Sequence, residues 1–147
     1  MEKRFEVLPH IADIKIRVRA KSLEELFRNA LFGMFQAVEP RSSLCVEVNG
    51  LITCDELPVN RTISIISYDR DTLLVDFLSE ALYFSDLHNE AYFDCTFTNL
   101  SDTQLTATIL GVPIEGFEVV EIKAVTYHGL HIEQKDSTWE VEIIFDI

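Results

Sequence analysis

Residues 12–20 read ADIKIRVRA, and the fold is decided by how that stretch is read. Ile14, Ile16 and Val18 alternate strictly with Asp13, Lys15, Arg17 and Arg19. Successive side chains of a strand point to opposite faces, so the run is a strand with one buried and one wetted face. The far end of the chain, STWEVEIIFDI (137–147), repeats the pattern. Trp139, Val141, Ile143 and Phe145 share one face, and Glu140, Glu142, Ile144 and Asp146 share the other. Each strand needs an apolar layer to cover its buried face.

Two amphipathic segments supply that layer. In KSLEELFRNALFGMFQAV (21–38), Leu23, Leu26, Phe27, Ala30, Leu31, Met34 and Val38 form one helical stripe. Ser22 and Glu25 make a capping box at its start, and Pro40 stops it. In DTLLVDFLSEALYFSDL (71–87), Leu74, Phe77, Leu78, Ala81 and Leu82 form the second stripe, with Asp71 predicted as its N-cap. Residues 44–48 and 62–67 read as strands, and NGLITCDELPVN (49–60) between them as a loop or short hairpin. Residues 92–99, 104–111 and 123–134 read as further strands, with a Lys-Asp turn before the last one. The order predicts an α+β domain over residues 1–147. Two strand–helix–strand–strand units would form a largely antiparallel sheet with both helices packed on one face.

Composition narrows the function. Hydrophobic residues make up 48%, too many for a disordered chain. No apolar run reaches the length of a membrane span, and residues 1–10 lack the apolar core of a signal peptide, so a cytoplasmic protein with no membrane partner is expected. A net charge of −13 argues against direct binding of nucleic acid. Cys45, Cys54 and Cys95 are odd in number and form no C-x-x-C pair, so three reduced, mostly buried thiols are expected. No phosphate-binding glycine loop, zinc-protease motif or nucleophile elbow occurs, which lowers the case for an enzyme.

Candidate ligands lie at the strand ends. If the first and last strands are neighbours, Asp13, Asp146 and the terminal carboxylate of Ile147 converge. Three hard oxygen donors suit Ca²⁺, Mg²⁺ or Mn²⁺. Two solvated strand-end acids are the plainer reading of the same pattern. His10 could be a ligand, an acid–base group or the orienter of Asp13, or an ordinary histidine. His128 shares parity with Leu130 and Ile132, which predicts a buried imidazole, and Lys123 is free to meet a phosphate or carboxylate. Asp76 and Glu80 share a helix face, either as an acid–base pair or as solvated surface. His88 and His131 follow no usable pattern.

Three ordered stretches resemble one family. HIADIKIRV (10–18), LLVDFLSEALY (73–83), and EIKAVTYHGL (121–130) with WEVEIIFDI (139–147) are similar to the archease motifs, with Ile11 where the family has Thr. The likeness spans nearly the whole chain, with an insertion around residues 44–60. The resemblance implies the duplicated α+β fold. It also implies a non-enzymatic accessory factor of a GTP- and manganese-dependent RtcB-type RNA ligase in tRNA splicing, promoting guanylylation and multiple turnover. Residue by residue it implies divalent-metal ligation by Asp13, Asp146 and the Ile147 carboxylate, a role for Lys123 in activation, and matched motif positions at His10 and His128. The alternatives are a stand-alone metal-dependent phosphohydrolase and a general chaperone or interaction module. The oligomeric state is not legible.

Overall fold

The computed structural model describes residues 3–8 and 12–147. Its strands are β1 (Phe5–Leu8), β2 (Asp13–Ala20), β3 (Pro40–Arg41), β4 (Cys45–Val48), β5 (Leu51–Cys54) and β6 (Val59–Ile66). Then come β7 (Glu90–Leu100), β8 (Gln104–Pro113), β9 (Gly116–Phe117), β10 (Ala124–Val125), β11 (Glu133–Lys135) and β12 (Thr138–Asp146). Helix α1 spans Leu23–Val38 and α2 spans Arg70–His88. The architecture is α+β, and every strand pair among the described residues is antiparallel.

The strands divide into a five-stranded sheet, ordered β1-β2-β12-β10 with β11 also on β12, and a three-stranded sheet, β6-β8-β7. Two-stranded ribbons β3–β9 and β4–β5 complete the fold. The unit β6–α2–β7–β8 closes on itself, whereas β2 takes its central partner, β12, from the end of the chain. Helix α1 packs on both β2 and β7, α2 packs on β6, β7 and β10, and the helices touch each other. Both apolar stripes therefore drain into one core. Phe27 of α1, Phe77 of α2 and Phe97 of β7 form a triangle of rings with centroids 5.8 to 6.3 Å apart. Those separations suit aromatic attraction and tie both helices to one strand.

The helix ends follow local chemistry. Ser22 Oγ accepts from the Glu25 amide at 3.1 Å, and Glu39 ends α1 in a left-handed conformation just before Pro40. Helix α2 starts earlier than expected. Asp69, not Asp71, is extended and accepts from the Thr72 amide at 2.8 Å. Asp71 thus falls in the first turn and is released for a tertiary contact.

Two further expectations are corrected. The chain over 123–134 is not a continuous strand: β10 and β11 flank a loop. The Leu130 amide donates to the Tyr127 carbonyl at 3.1 Å, and Gly129 takes a φ of +65° that a side chain would resist. This turn breaks the parity argument, so His128 is exposed while Leu130 and Ile132 are buried. Nor are all cysteines reduced. Asn49 and Gly50, with φ of +53° and +82°, make a two-residue hairpin turn between β4 and β5. That turn sets Val48 opposite Leu51, and therefore Cys45 opposite Cys54. The two are disulfide-bonded with Cα atoms 4.2 Å apart, and only Cys95 is a buried free thiol. Burial pushes the Cys95 thiol up to about 12, so it stays protonated.

Candidate functional site

Strand β2 pairs with β12 over its full length, from Ala20 opposite Trp139 to Asp13 opposite Asp146. The inward faces carry Ile16, Val18, Val141, Ile143 and Phe145 into the core. The outward faces form a ladder of opposite charges. Arg17 donates through Nε and Nη2 to Glu142 Oε2, at 3.1 and 2.8 Å, and through Nη1 to Glu6 Oε1 at 2.6 Å. Arg19 Nε donates to Glu140 Oε1 at 2.8 Å, and Lys15 Nζ lies 3.1 Å from Glu142 Oε1. Hydrogen bonds from Arg17 and Lys15 hold the Glu142 carboxyl below the usual range.

The complementarity inverts at the last rung. Asp13 faces Asp146 as a direct cross-strand partner, the one acid–acid pair in this register. Like charges directly opposite each other disfavour pairing unless something positive joins them. Asp146 is exposed, and Asp13 and Ile147 are half-buried. The two acids from opposite ends of the chain thus share a strand end, as the alternation of both segments allowed.

A third segment pins this end. The Lys123 amide donates to the Asp146 carbonyl at 2.7 Å, and Ala124 lies opposite Asp146 in β10. Thr126 donates to the Ile144 carbonyl through both its amide, at 3.1 Å, and its hydroxyl, at 3.0 Å. Lys123 is therefore adjacent to the acidic rung through its backbone, with an exposed side chain. His128 sits at the exposed turn beyond, and His10 lies outside the described residues.

The loop 126–132 is fastened to α2 by residues whose function the sequence reading missed. Tyr127 Oη donates to Asp76 Oδ1 at 3.0 Å, and Ser67 Oγ donates to Asp76 Oδ2 at 2.6 Å. Burial, then the Asp76 bond, pushes the Tyr127 hydroxyl upward. The Ile132 amide donates to Asp71 Oδ1 at 2.9 Å, and His131 Nδ1 lies 3.0 Å from Asp71 Oδ2. Asp76 is thus a loop anchor rather than half of an acid–base pair with Glu80 or a bare solvated group. The only sequence signal was that Asp71 and Asp76 face away from the apolar stripe.

Among the described residues, no group of three or more His, Cys, Asp or Glu side chains could hold a metal ion. Asp13 and Asp146 offer two carboxylates, and a third donor would have to come from outside that set of side chains. Among the described residues, no helix is long and apolar enough to cross a membrane.

The fold and site together define a class: an α+β domain with antiparallel sheets under two helices, its first and last long strands paired to end on facing acids. The sequence profile of the archease protein family matches residues 5–147. "Protein archease" from Methanosarcina barkeri is 31% identical over 99% of this chain and 97% of that protein. "Protein archease" from Thermoplasma acidophilum is 33% identical over 97% of this chain and 93% of that protein. A solution structure of Methanobacterium thermoautotrophicum protein 1598 superposes with a TM-score of 0.70 at 27% identity, covering 98% of this chain and 99% of that one. The Thermotoga maritima crystal structure described as an archease, possible chaperone, has a TM-score of 0.63 at 20% identity and supports the fold alone. It covers 100% of this chain and 98% of its own. The chain belongs to the archease family.

Proposed function

We propose that this protein is a non-enzymatic accessory factor of an RtcB-type RNA ligase, and that it acts through a divalent cation held at the Asp13–Asp146 rung. The observation that carries the reading is the register itself: on the outward face of β2 and β12, Arg19 opposes Glu140 and Arg17 opposes Glu142, Lys15 opposes Ile144, and at the last pair two acids face each other. The donor set fits a hard cation, because both side chains offer only carboxylate oxygen, and a main-chain carboxylate at Ile147 would add a third donor. When bound, Ca²⁺, Mg²⁺ or Mn²⁺ would supply positive charge for a phosphate or for a carboxylate of the ligase.

The chain's own residues define the rest. Backbone bonds from Lys123 and Thr126 hold the end of β12 in place, which keeps Asp146 opposite Asp13. The exposed Lys123 side chain, one residue outside the rung, can engage an anionic group approaching it. His128 presents an exposed imidazole on the neighbouring turn, and His10 precedes Asp13 by three positions. A net charge of −13 directs the protein toward the ligase rather than toward tRNA.

The test is a multiple-turnover ligation assay with the cognate ligase. Wild-type protein should raise turnover and ligase guanylylation, while Asp146→Ala and a short C-terminal extension should both lose the effect with the fold retained. Unchanged turnover with Asp146→Ala would remove the metal-rung reading. A chaperone role is the second reading, favoured by exposed Val46 and Val48 on the β4–β5 hairpin, 64% and 48% accessible. It predicts protection of unrelated clients from aggregation, unaffected by Asp13→Ala or Asp146→Ala.

A further inference from the structure

The opposite end of β2 carries a contrasting charge. Lys3, Arg4, Arg19 and Lys21, with Glu25 and Asn29, line a cavity of about 610 Å³. Arg19 is already paired with Glu140, which leaves Lys3, Arg4 and Lys21 against the one carboxylate of Glu25, an unusual balance in a chain with 12 basic and 25 acidic residues. Ala20 pairs with Trp139, seven residues along β2 from the Asp13–Asp146 rung, so the two ends lie about 23 Å apart.

Arg4 is exposed but held in place. Arg4 Nε donates to Asn29 Oδ1 at 2.8 Å, and its guanidinium carbon lies 3.9 Å from the centre of the Phe32 ring. Asn29 is only 3% exposed and donates through Nδ2 to the Arg19 carbonyl at 2.9 Å. A buried amide therefore fixes both Arg4 and the end of β2. Among the described residues, neither Nη of Arg4 has a protein acceptor, and Arg4, Lys3 and Lys21 make no ion pair. The nearby carboxylates of Asp94 and Glu25 attract Arg4 only at longer range, without an ion pair, and Asp94 is engaged by Arg28, whose Nε and Nη2 donate to its Oδ1 at 3.1 and 2.9 Å. Burial, then repulsion from Arg28, lowers the Arg4 pKa. A partly desolvated cation with no carboxylate in direct contact is stabilised by an arriving anion.

We propose that this cavity binds the dianionic phosphate group of a small phosphate monoester. The planar Nη edge of Arg4 matches two phosphate oxygens at once, and the flexible Lys3 and Lys21 add point charges around them. Nucleic acid is a poorer fit, since its affinity comes from a track of many neutralised phosphates, whereas of the cations here only Lys3, Arg4 and Lys21 are without an ion pair among the described residues. The site is separate from the acidic rung and does not depend on the ligase reading.

Full-length protein is titrated with methyl phosphate, inorganic phosphate and dimethyl phosphate at about pH 7.5, above the second ionisation of a phosphate monoester. The Arg Nε–Hε and backbone amide signals are followed by NMR. Methyl phosphate and inorganic phosphate should both give saturable shifts at Arg4, with Kd near 1 mM. The monoanionic diester should bind at least about tenfold more weakly, a difference of ~1.4 kcal/mol. Arg4→Gln should abolish saturation, and Lys21→Gln, an exposed change that leaves the Asn29 bonds in place, should weaken binding about fivefold, while Lys135→Gln leaves it unaltered. Linear shifts without saturation, equal binding of the diester, or undiminished binding by Lys21→Gln would each overturn the proposal.

Discussion

Arg61→Met should expose how much a buried carboxylate depends on its partner. On β6, Arg61 donates Nε to Glu90 Oε1 at 3.0 Å and Nη2 to Glu90 Oε2 at 2.8 Å. Tyr92 Oη donates to Glu90 Oε1 at 2.6 Å. The Glu90 side chain is 8% exposed and that of Arg61 is 32% exposed. Removing one partner of a fully buried pair costs about 3–5 kcal/mol; solvent at Arg61 screens part of this, leaving ~2–3 kcal/mol. For a chain of this size the melting temperature should fall by about 5–10 °C. Burial alone would raise the Glu90 pKa, but the Arg61 fork and the Tyr92 bond outweigh it and hold the group below its ordinary 4.5. Its contribution is therefore complete at neutral pH and is lost as pH falls below the ordinary glutamate range through the depressed folded value. In Arg61→Met, burial dominates and the Glu90 pKa rises, so the stability gap to wild type should narrow on acidification. Urea unfolding at neutral pH and at about pH 4 measures both effects. A loss below ~0.5 kcal/mol at neutral pH, or a gap independent of pH, would refute the reasoning.

Two other outcomes follow from the same geometry. The Cys45–Cys54 bond closes a span of nine residues, for which chain entropy gives about 2.5 kcal/mol. Reduction, or Cys45→Ser with Cys54→Ser, should lower stability by up to that amount and speed hydrogen exchange within β4 and β5. Exchange there unchanged on reduction would show that the two bonds between Gln36 and Ile52, Nε2–H to the Ile52 carbonyl at 2.8 Å and the Ile52 amide to Oε1 at 2.9 Å, suffice to hold the hairpin. Asp69→Ala should cost about 1 kcal/mol by removing the cap of α2, while Asp71→Ala should instead loosen the loop at Ile132. Chemical denaturation and amide exchange at residue 132 separate the two variants.

Much of the fold could be read directly because burial imposes a local period. The alternation in residues 12–20 and 137–147 identified β2 and β12, and the stripes in 21–38 and 71–87 identified both helices. The hairpin disulfide was also legible in principle. An Asn-Gly turn with two strands fixes its partners by counting outward, and Cys45 and Cys54 are equidistant from it. Other features had no local signal. Parity placed His128 with Leu130 and Ile132, but a left-handed Gly129 turned the chain between them. Asp71 has the chemistry of a cap, yet Asp69 takes the role because the chain enters the helix there, leaving Asp71 to bind the loop.

By itself, the sequence determined which residues lie on which face of each strand and helix, because hydrophobic burial acts on patterns a few residues long. Only the tertiary structure decided that Asp13 faces Asp146, and that Arg4, held by Asn29, stands at the other end of the same strand with no ion pair among the described residues. Both depend on pairings between segments far apart in the chain. Those pairings are selected by the whole core and leave no trace in any single window of residues.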